Sequence, residues 1–338
     1  MKYYKTIENI NHLVIDGVVP GVNCAFIDGE DVERHLIGDS ELIPEKVELK
    51  DHLIYDMASI TKVVGTTMVI LKLSDDHKLN LDDSISKYLT TWSFPEVTIR
   101  NLITHTSGIE GYIKNRDNLN HDELIKSLLR LKVGKGLNHE MHYADVNFIL
   151  LGLIAKKVTG QSIQKLIDRF VLKPLKMNNS GFNPKYKKNC IPTIYNKQTG
   201  KLLQGSVHDP KAQILGEDCG SAGLFSNMDD LIKFVHSILY PEDNPVLSDA
   251  TIKGFFQDQT YSHKLGRSFG FELLYHDEMK YIWQSGYTGT FIIIIPDLKR
   301  AMIFLSNRVH PIAPNEYYIE RRKTLIETYL NENKKAWK

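Results

Sequence analysis

The chain has 338 residues, of which 42% are hydrophobic and 25% are charged, which is the composition of an ordinary soluble globular protein. With 42 Lys and Arg against 41 Asp and Glu, the net charge of +1 gives no electrostatic reason to expect nucleic acid or an anionic membrane as a partner. The three cysteines (Cys24, Cys190 and Cys219) form neither a disulfide framework nor a metal-binding pattern, so the sequence predicts no metal and no cofactor.

The first residues, 1–9, are polar and lack the apolar stretch and small-residue cleavage site of a secretion signal. No segment approaches the length of a membrane-spanning helix. We therefore expect a cytoplasmic protein, and an extracellular one only if a leader was removed.

The amino-terminal part begins with a predicted hairpin. Two strand-like runs, 22–27 and 32–37, flank Asp28-Gly29, a dipeptide typical of tight hairpin turns. A long apolar helix is predicted to follow from Val63.

The middle of the chain is predicted to be mainly helical. Residues 75–90 indicate a looser surface segment, and residues 183–215, with several Pro, Gly and Asn, indicate a loop. The predicted helices are 98–104, about 121–131, 144–158, 162–171 and Met228–Leu239.

The last part of the chain changes to strands. Short separators between these strands require antiparallel pairing, and a helix at about 314–332 closes the chain. The four strand-like runs are 269–275, 279–284, 290–295 and 301–306. The predicted fold is α/β (α+β): one antiparallel sheet built from both ends of the chain and flanked by helices. We predict a sheet lobe of residues 1–74 and 215–338, a helical lobe of residues 75–214, and an active site between them.

A serine and a lysine stand three residues apart at the start of the first long helix. Positions i and i+3 share a helix face, so Ser59 and Lys62 are expected to touch. A serine needs an adjacent base to act as a nucleophile, and burial at a helix start is expected to lower the pKa of Lys62.

The pattern S-x-x-K is short and occurs twice more, at Ser84–Lys87 and Ser162–Lys165. The lysines of these two patterns are expected to lie on helix surfaces, in contact with solvent. Only Ser59 is preceded by an apolar segment and followed by a long apolar helix, so we select it as the candidate nucleophile.

Two further segments complete a candidate site. Tyr143 precedes the buried helix, where its side chain could project into a cleft and share the proton of Ser59. Gln284, Ser285 and Gly286 end a strand, and the glycine allows a ligand to approach backbone N–H groups. His105 is expected to shape a turn rather than to react.

The order Ser59-x-x-Lys62, Tyr143-x-Asp145, Gln284-Ser285-Gly286 resembles the serine beta-lactamase and penicillin-binding protein superfamily, in its class C beta-lactamase-like branch. The resemblance covers roughly residues 15–310 and includes the phrases at 101–108, 220–226 and 306–311. It implies the beta-lactamase/transpeptidase-like form of the predicted fold.

The resemblance also implies a role for each site residue. Ser59 is the expected nucleophile, and Lys62 and Tyr143 are expected to share its proton. The backbone N–H groups of Ser59 and Tyr287 would form the oxyanion hole. Asp145, Gln284, Ser285, Gly286 and Tyr287 are the expected substrate-binding residues.

This sequence departs from the family pattern at two positions. The second motif often ends in Asn, but Asp145 cannot donate a hydrogen bond when ionised and could instead hold Lys62 in its charged form. The third motif usually begins with Lys or His, but Gln284 offers a substrate carboxylate no charge. Arg308 could restore that charge if its strand end faces the cleft.

These observations predict a serine hydrolase that acts through an acyl-enzyme on an ester or amide, with esterase activity on simple substrates. A D-alanyl-D-alanine peptidase or weak beta-lactamase is one alternative, and a catalytically weak ligand-binding protein is another. The expected partner is a small-molecule or peptide-like substrate, and the sequence does not indicate an oligomeric state.

Overall fold

The architecture comes from a computed structural model that describes residues 2–313 and 315–337. Residues 1, 314 and 338 lie outside these ranges, and so does the start predicted at 314 for the last helix. Within the described residues no helix is both long enough and apolar enough to cross a membrane.

A seven-stranded sheet forms the centre of the molecule. Its strands are β1 (Gly21–Asp28), β2 (Asp31–Glu41), β3 (Val47–Glu48), β4 (Glu272–His276), β5 (Met279–Ser285), β6 (Phe291–Ile295) and β7 (Arg300–Ser306). Their order is β4-β5-β6-β7-β1-β2-β3, and every neighbouring pair is antiparallel. Since β7 pairs with β1, the two ends of the chain meet in one sheet. The predicted α/β (α+β) fold class and its antiparallel sheet are confirmed.

Both faces of the central strands are buried. In β1, Cys24 and Phe26 lie in one apolar cluster, whereas Ala25 and Ile27 lie in the other. Helix α1 (Tyr4–Ile15) and helix α10 (Glu316–Trp337) cover the first face. Because helices cover both faces, these strands are continuously apolar rather than alternating.

The other helices contribute to the apolar cluster on the second face or to a third, smaller apolar cluster. They are α2 (Thr67–Asp75), α3 (Ile99–Ile103), α4 (His121–Leu128), α5 (Asp145–Thr159), α6 (Ile163–Ile167), α7 (Pro210–Leu215), α8 (Met228–Leu239) and α9 (Asp249–Gly254). A wide π turn, Lys62–Thr66, leads into α2, and another, Asp168–Leu172, follows α6. Most helices in the predicted list are therefore present, with ends that differ by a few residues.

Three predictions need correction. The polar start of the chain carries the amphipathic helix α1, which the prediction omitted and whose Ile7, Ile10 and Leu13 are buried. The segment 183–215 contains α7 and a small hairpin, Tyr195–Asn196 with Lys201–Leu202. Strand β4 begins at Glu272 rather than 269. The boundaries of the two lobes stay a prediction.

Candidate active site

Ser59 lies on a tight turn immediately before the first helical residues. Two short strands, Tyr55–Asp56 and Phe225–Ser226, pair just ahead of it. Ala58 has a left-handed backbone (φ 45°), and its N–H donates to the Asp56 carboxylate over 2.8 Å. Left-handed backbone at a non-glycine residue costs energy and tends to occur at functional sites. The strained turn leaves Ser59 half-buried and facing a cleft.

Lys62 is fully buried, and all of its hydrogen-bond donors are used. Its Nζ lies 2.8 Å from Ser59 Oγ, 3.0 Å from the carbonyl oxygen of Ser221 and 2.7 Å from Asp145 Oδ1. An ammonium group has three N–H donors, so three acceptors satisfy its charged form. Ser59 and Lys62 are thus in contact, as the spacing predicts.

Of the two expectations for Lys62, the lowered pKa is wrong, and the structure instead has the contact with Asp145 that favours the charged form. Burial alone acts in that direction, but the negative charge of Asp145 and the nearby Tyr143 hydroxyl outweigh it and raise the pKa of Lys62 above its ordinary value. In the resting protein Lys62 is therefore an ammonium ion and cannot itself accept the proton of Ser59.

Asp145 is the first residue of α5 and is bound by two lysines. Its Oδ1 faces Lys62, while its Oδ2 lies 3.0 Å from Nζ of Lys211. Burial acts to raise the pKa of Asp145, but the two lysines hold it well below its usual range. The carboxylate predicted to bind substrate is thus also the counter-ion of Lys62.

Tyr143 lines the cleft, and 41% of the residue's surface is exposed. The Lys62 ammonium is 5.1 Å from the centre of its ring, and its hydroxyl accepts a 3.0 Å hydrogen bond from Nε2 of Gln284. The His105 ring packs against the Tyr143 ring at an angle of 33°, with 4.5 Å between the centroids. Tyr143, Lys62 and Gln284 are therefore brought together.

His105 is buried and fixes the entrance to α5. Its Nδ1 accepts hydrogen bonds from the backbone N–H of Ala144 and the side-chain amide of Asn147. Burial, assisted by the charges of Arg267 and Lys62, holds the pKa of His105 well below its ordinary value. A neutral His105 with these contacts shapes the turn that carries Tyr143.

The third motif approaches the Ser59 turn at the end of β5. A Cβ atom added to Gly286 would lie 2.6 Å from the carbonyl oxygen of Met57, so only glycine allows this approach. Ser285 and Tyr287 both line the cleft. In the described part of the chain, the backbone N–H groups of Ser59 and Tyr287 donate to no other protein group. These two donors are available to a ligand.

Arg308 lines the cleft beside Tyr287, but its guanidinium is already engaged. Nε donates over 2.6 Å to the carbonyl oxygen of Tyr287, and Nη1 donates over 3.1 Å to that of Asn315. The guanidinium carbon also lies 4.7 Å from the Tyr287 ring centre. Arg308 therefore supports the strand end and adds positive charge to this side of the cleft.

Residues 208–211, which we call the strap, also contribute to the site, although the sequence pattern indicates only a loop there. The backbone N–H of His208 donates to Asp56 over 2.7 Å, and the His208 ring stacks on Tyr287 at 5.4 Å. Lys211 reaches Asp145. The strap therefore contacts Asp145 of the second motif and one residue close to each of the other two motifs, Asp56 and Tyr287. Its detectable signal is Asp209-Pro210, a capping residue followed by proline at the first position of a helix.

The whole constellation opens into one cleft of about 1110 Å³. Ser59, Tyr143, Asp145, Gln284, Ser285, Gly286 and Tyr287 line it, together with residues of the small hairpin, the strap and α10. The predicted site residues other than the buried Lys62 thus share one accessible surface.

The sequence matches a known protein family over nearly its whole length. The model described as Beta-lactamase matches residues 6–324. The chain belongs to the Beta-lactamase family. Among its relatives is a protein of Escherichia coli O157:H7 described as "Putative D-alanyl-D-alanine carboxypeptidase", which is 28% identical over 93% of this chain and 85% of its own length. The family makes this protein a serine hydrolase, and that prediction is confirmed.

Solved structures share the fold of this Beta-lactamase family member. A class C beta-lactamase superimposes with a TM-score of 0.78 at 19% identity, covering 98% of this chain and 97% of the other. The structure described as "EstCE1, a hydrolase with promiscuous acyltransferase activity" gives a TM-score of 0.75 at 16% identity, covering 96% and 98%. At such identities the likeness shows the fold alone.

Proposed function

We propose that this hydrolase cleaves esters or amides through an acyl-enzyme on Ser59, with simple esters as its better substrates. The observation that carries the proposal is the 2.8 Å contact between Ser59 Oγ and Lys62 Nζ on the floor of an open cleft. Tyr143 beside this pair and the two unused N–H groups of Ser59 and Tyr287 supply the other parts that acyl transfer needs.

The proposed reaction begins with loss of one proton from the coupled Lys62–Tyr143 pair. Ser59 Oγ then attacks the carbonyl carbon while its proton passes to the pair, and the carbonyl oxygen takes the negative charge between the N–H groups of Ser59 and Tyr287. The pair returns the proton to the departing alcohol or amine. Water attacks the acyl-enzyme by the same route and releases the acid and free Ser59.

The polar groups near the third motif favour a substrate without an essential carboxylate. The Gln284 amide is neutral, and its Nε2 already donates to the Tyr143 hydroxyl and to the carbonyl oxygen of Ser285. A neutral amide offers a carboxylate no charge-assisted hydrogen bond. This supports esters over substrates that depend on a terminal carboxylate.

A D-alanyl-D-alanine peptidase or weak beta-lactamase is the second candidate. Arg308 lines the cleft beside Tyr287 and carries a positive charge that an anionic substrate could use. The Escherichia coli relative is described as a putative carboxypeptidase of this kind. Membership of this family disfavours a catalytically weak binding protein. The mass-spectrometry experiment below would give a different result for such a protein.

We expect short-chain nitrophenyl esters to have a higher kcat/KM than the cephalosporin nitrocefin. Gln284→Lys should shift the ratio toward nitrocefin by roughly tenfold or more, because a charge-assisted hydrogen bond contributes about 1.5–3 kcal/mol. Steady-state kinetics on both substrates measures the shift. A wild-type preference for nitrocefin, lost in Arg308→Ala and unaffected by Gln284→Lys, would instead support the second candidate.

Intact-mass spectrometry distinguishes an enzyme from a binding protein. Incubation with an ester or a penicillin should give a transient acyl adduct that disappears as product forms. A permanent adduct indicates acylation without deacylation, and the absence of both adduct and product indicates a binding protein.

A further inference from the structure

Lys211 is a lysine of the cleft wall that is held by two carboxylates. Its Nζ lies 3.0 Å from Asp145 Oδ2 and 3.0 Å from Asp209 Oδ2, and only 11% of its side chain is exposed. Asp209 also caps α7 by accepting the backbone N–H of Ala212 over 2.9 Å. Lys211 is therefore fixed in position at the start of α7.

Asp145 connects Lys211 to the nucleophile. The order of contacts is Lys211 Nζ, Asp145 Oδ2, Asp145 Oδ1, Lys62 Nζ and Ser59 Oγ, with separations of 3.0 Å, 2.7 Å and 2.8 Å between the successive side chains. If Asp145 paired with Lys62 alone, its negative charge would strongly stabilise the ammonium form of Lys62. The positive charge of Lys211 at the other oxygen of Asp145 weakens this stabilisation, and the carboxylate of Asp209 keeps Lys211 charged.

We propose that Lys211 is a positioning residue that shares the Asp145 carboxylate with Lys62 and thereby sets the pH range in which Ser59 becomes reactive. The proposal rests on the acyl-enzyme mechanism above, since it concerns the proton that the Lys62–Tyr143 pair must lose first. Asp145 lies between the two lysines, so its negative charge acts on Lys211 as well as on Lys62.

Several other charged or titratable groups face this network from neighbouring elements. Tyr143 and the buried His105 face Lys62, and the buried Arg267 faces both of them. Asp56 faces Asp209 from beneath the Ser59 turn. These groups are present in all the variants below. A difference in the midpoint of labelling between variants is therefore due to the change in the Asp145–Lys211 contact.

The test is the rate of covalent labelling by a fluorophosphonate, measured across the pH range by intact mass. Labelling of the wild type should rise with pH to a plateau. In Lys211→Met the midpoint of this rise should move up by about one pH unit, since removing a neighbouring charge within hydrogen-bond range shifts a titration by this order. Below the midpoint the rate should fall roughly tenfold, while the plateau stays the same.

Two variants separate charge from structure. Lys211→Gln can still donate to Asp145 but carries no charge, so it should move the midpoint as Lys211→Met does; it also serves if Lys211→Met does not fold. Lys211→Arg should keep the wild-type midpoint. In an Asp145→Asn background, Lys211→Met should have no effect on the midpoint, because the proposed route through Asp145 is gone.

Lys165→Met is the matched control, since Lys165 is 65% exposed and pairs with Glu217 at the surface. An unchanged midpoint in Lys211→Gln would overturn the proposal, and so would a full shift in the Asp145→Asn background. A wild type that labels at a rate independent of pH would also overturn it. A wild type that is not labelled at any pH would overturn the acyl-enzyme mechanism itself, which distinguishes the two failures.

Discussion

At the scale of single residues, the reactive state of the site depends on the charge of Lys62. Burial opposes an ammonium group, but three acceptors, one of them a carboxylate, surround its Nζ. A paired and fully hydrogen-bonded charge is tolerated in a protein interior, whereas an unpaired one is not. In the proposed mechanism this resting site must lose one proton before Ser59 can react, and Lys62 and Tyr143 serve that one proton transfer.

Removing either member of the pair should slow acylation. Lys62→Met and Tyr143→Phe should each lower the acylation rate by about 10²–10⁴, the usual range for general acid–base catalysis. The effects should be less than additive, because both groups serve one proton transfer. Stopped-flow acylation by a nitrophenyl ester measures both.

Lys87→Met is the control for this comparison, since Lys87 occupies a second S-x-x-K pattern, is 59% exposed and pairs with Asp83. It should acylate at the wild-type rate. Near-wild-type acylation in Lys62→Met or Tyr143→Phe would show that the proton takes another route.

At the scale of elements, the site depends on how closely the end of β5 approaches the Ser59 turn. Gly286 has no room for a Cβ atom, which would lie 2.3 Å from Thr290 Oγ1 and 2.6 Å from the carbonyl oxygen of Met57. The Thr288 hydroxyl donates over 2.8 Å to the carbonyl oxygen of Asp56 across the same gap. These contacts place the N–H groups of Ser59 and Tyr287 on one cleft.

Gly286→Ala should separate the two segments and disturb the arrangement of these N–H donors. We expect kcat for ester hydrolysis to fall by about 10²-fold or more, the cost of losing one oxyanion-hole donor. Gly181→Ala is the control, because a Cβ atom there meets nothing within 4 Å. Equal kcat values in the two variants would show that the close approach at Gly286 does not matter for catalysis.

The elements also show what the sequence can and cannot predict. The hairpin of β1 and β2 and the antiparallel strands β4 to β7 follow from local patterns, because Asp28-Gly29 and the short separators allow few other connections. Helix α1 was missed because polar residues separate Ile7, Ile10 and Leu13, and because this face is stabilised by packing on α10, a contact between distant segments.

For the site, local spacing predicts the contact of Ser59 with Lys62 but not the pKa of Lys62. That property depends on Asp145 and, through it, on Lys211, which lies 66 positions further along the chain by the numbering. The spacing of residues within one segment does not indicate which distant segment it contacts. The strap could be predicted as a helix start but not as a part of the site.

At the scale of the whole molecule, one buried carboxyl group links the stability of the fold to pH. Burial raises the pKa of Asp56 to about 6, from an ordinary value of 3.8, although two backbone N–H groups act against the change. The folded protein therefore binds this proton more tightly than the unfolded chain. The resulting stabilisation is fully present below the ordinary pKa and is lost as the pH rises through the folded value.

The free energy of unfolding of the wild type relative to Asp56→Asn should therefore decrease with rising pH. Between about pH 4 and pH 8 the difference should fall by about 2–4 kcal/mol, from the size of the shift in pKa. Other titrating groups, including Asp145 and His105, are shared by both proteins and cancel. Urea unfolding at several pH values measures the difference, and a difference that does not change with pH would contradict the assignment.

The central claim is that this Beta-lactamase family member uses Ser59 as its nucleophile, and peptide mapping after fluorophosphonate labelling tests it most directly. Wild type, Ser84→Ala and Ser162→Ala should each carry one adduct, on Ser59, since the other two serines lie in S-x-x-K patterns whose lysines pair at the surface. Ser59→Ala should fold as the wild type does and carry no adduct. An adduct that persists in Ser59→Ala, or that maps to a different serine in the wild type, would contradict the account.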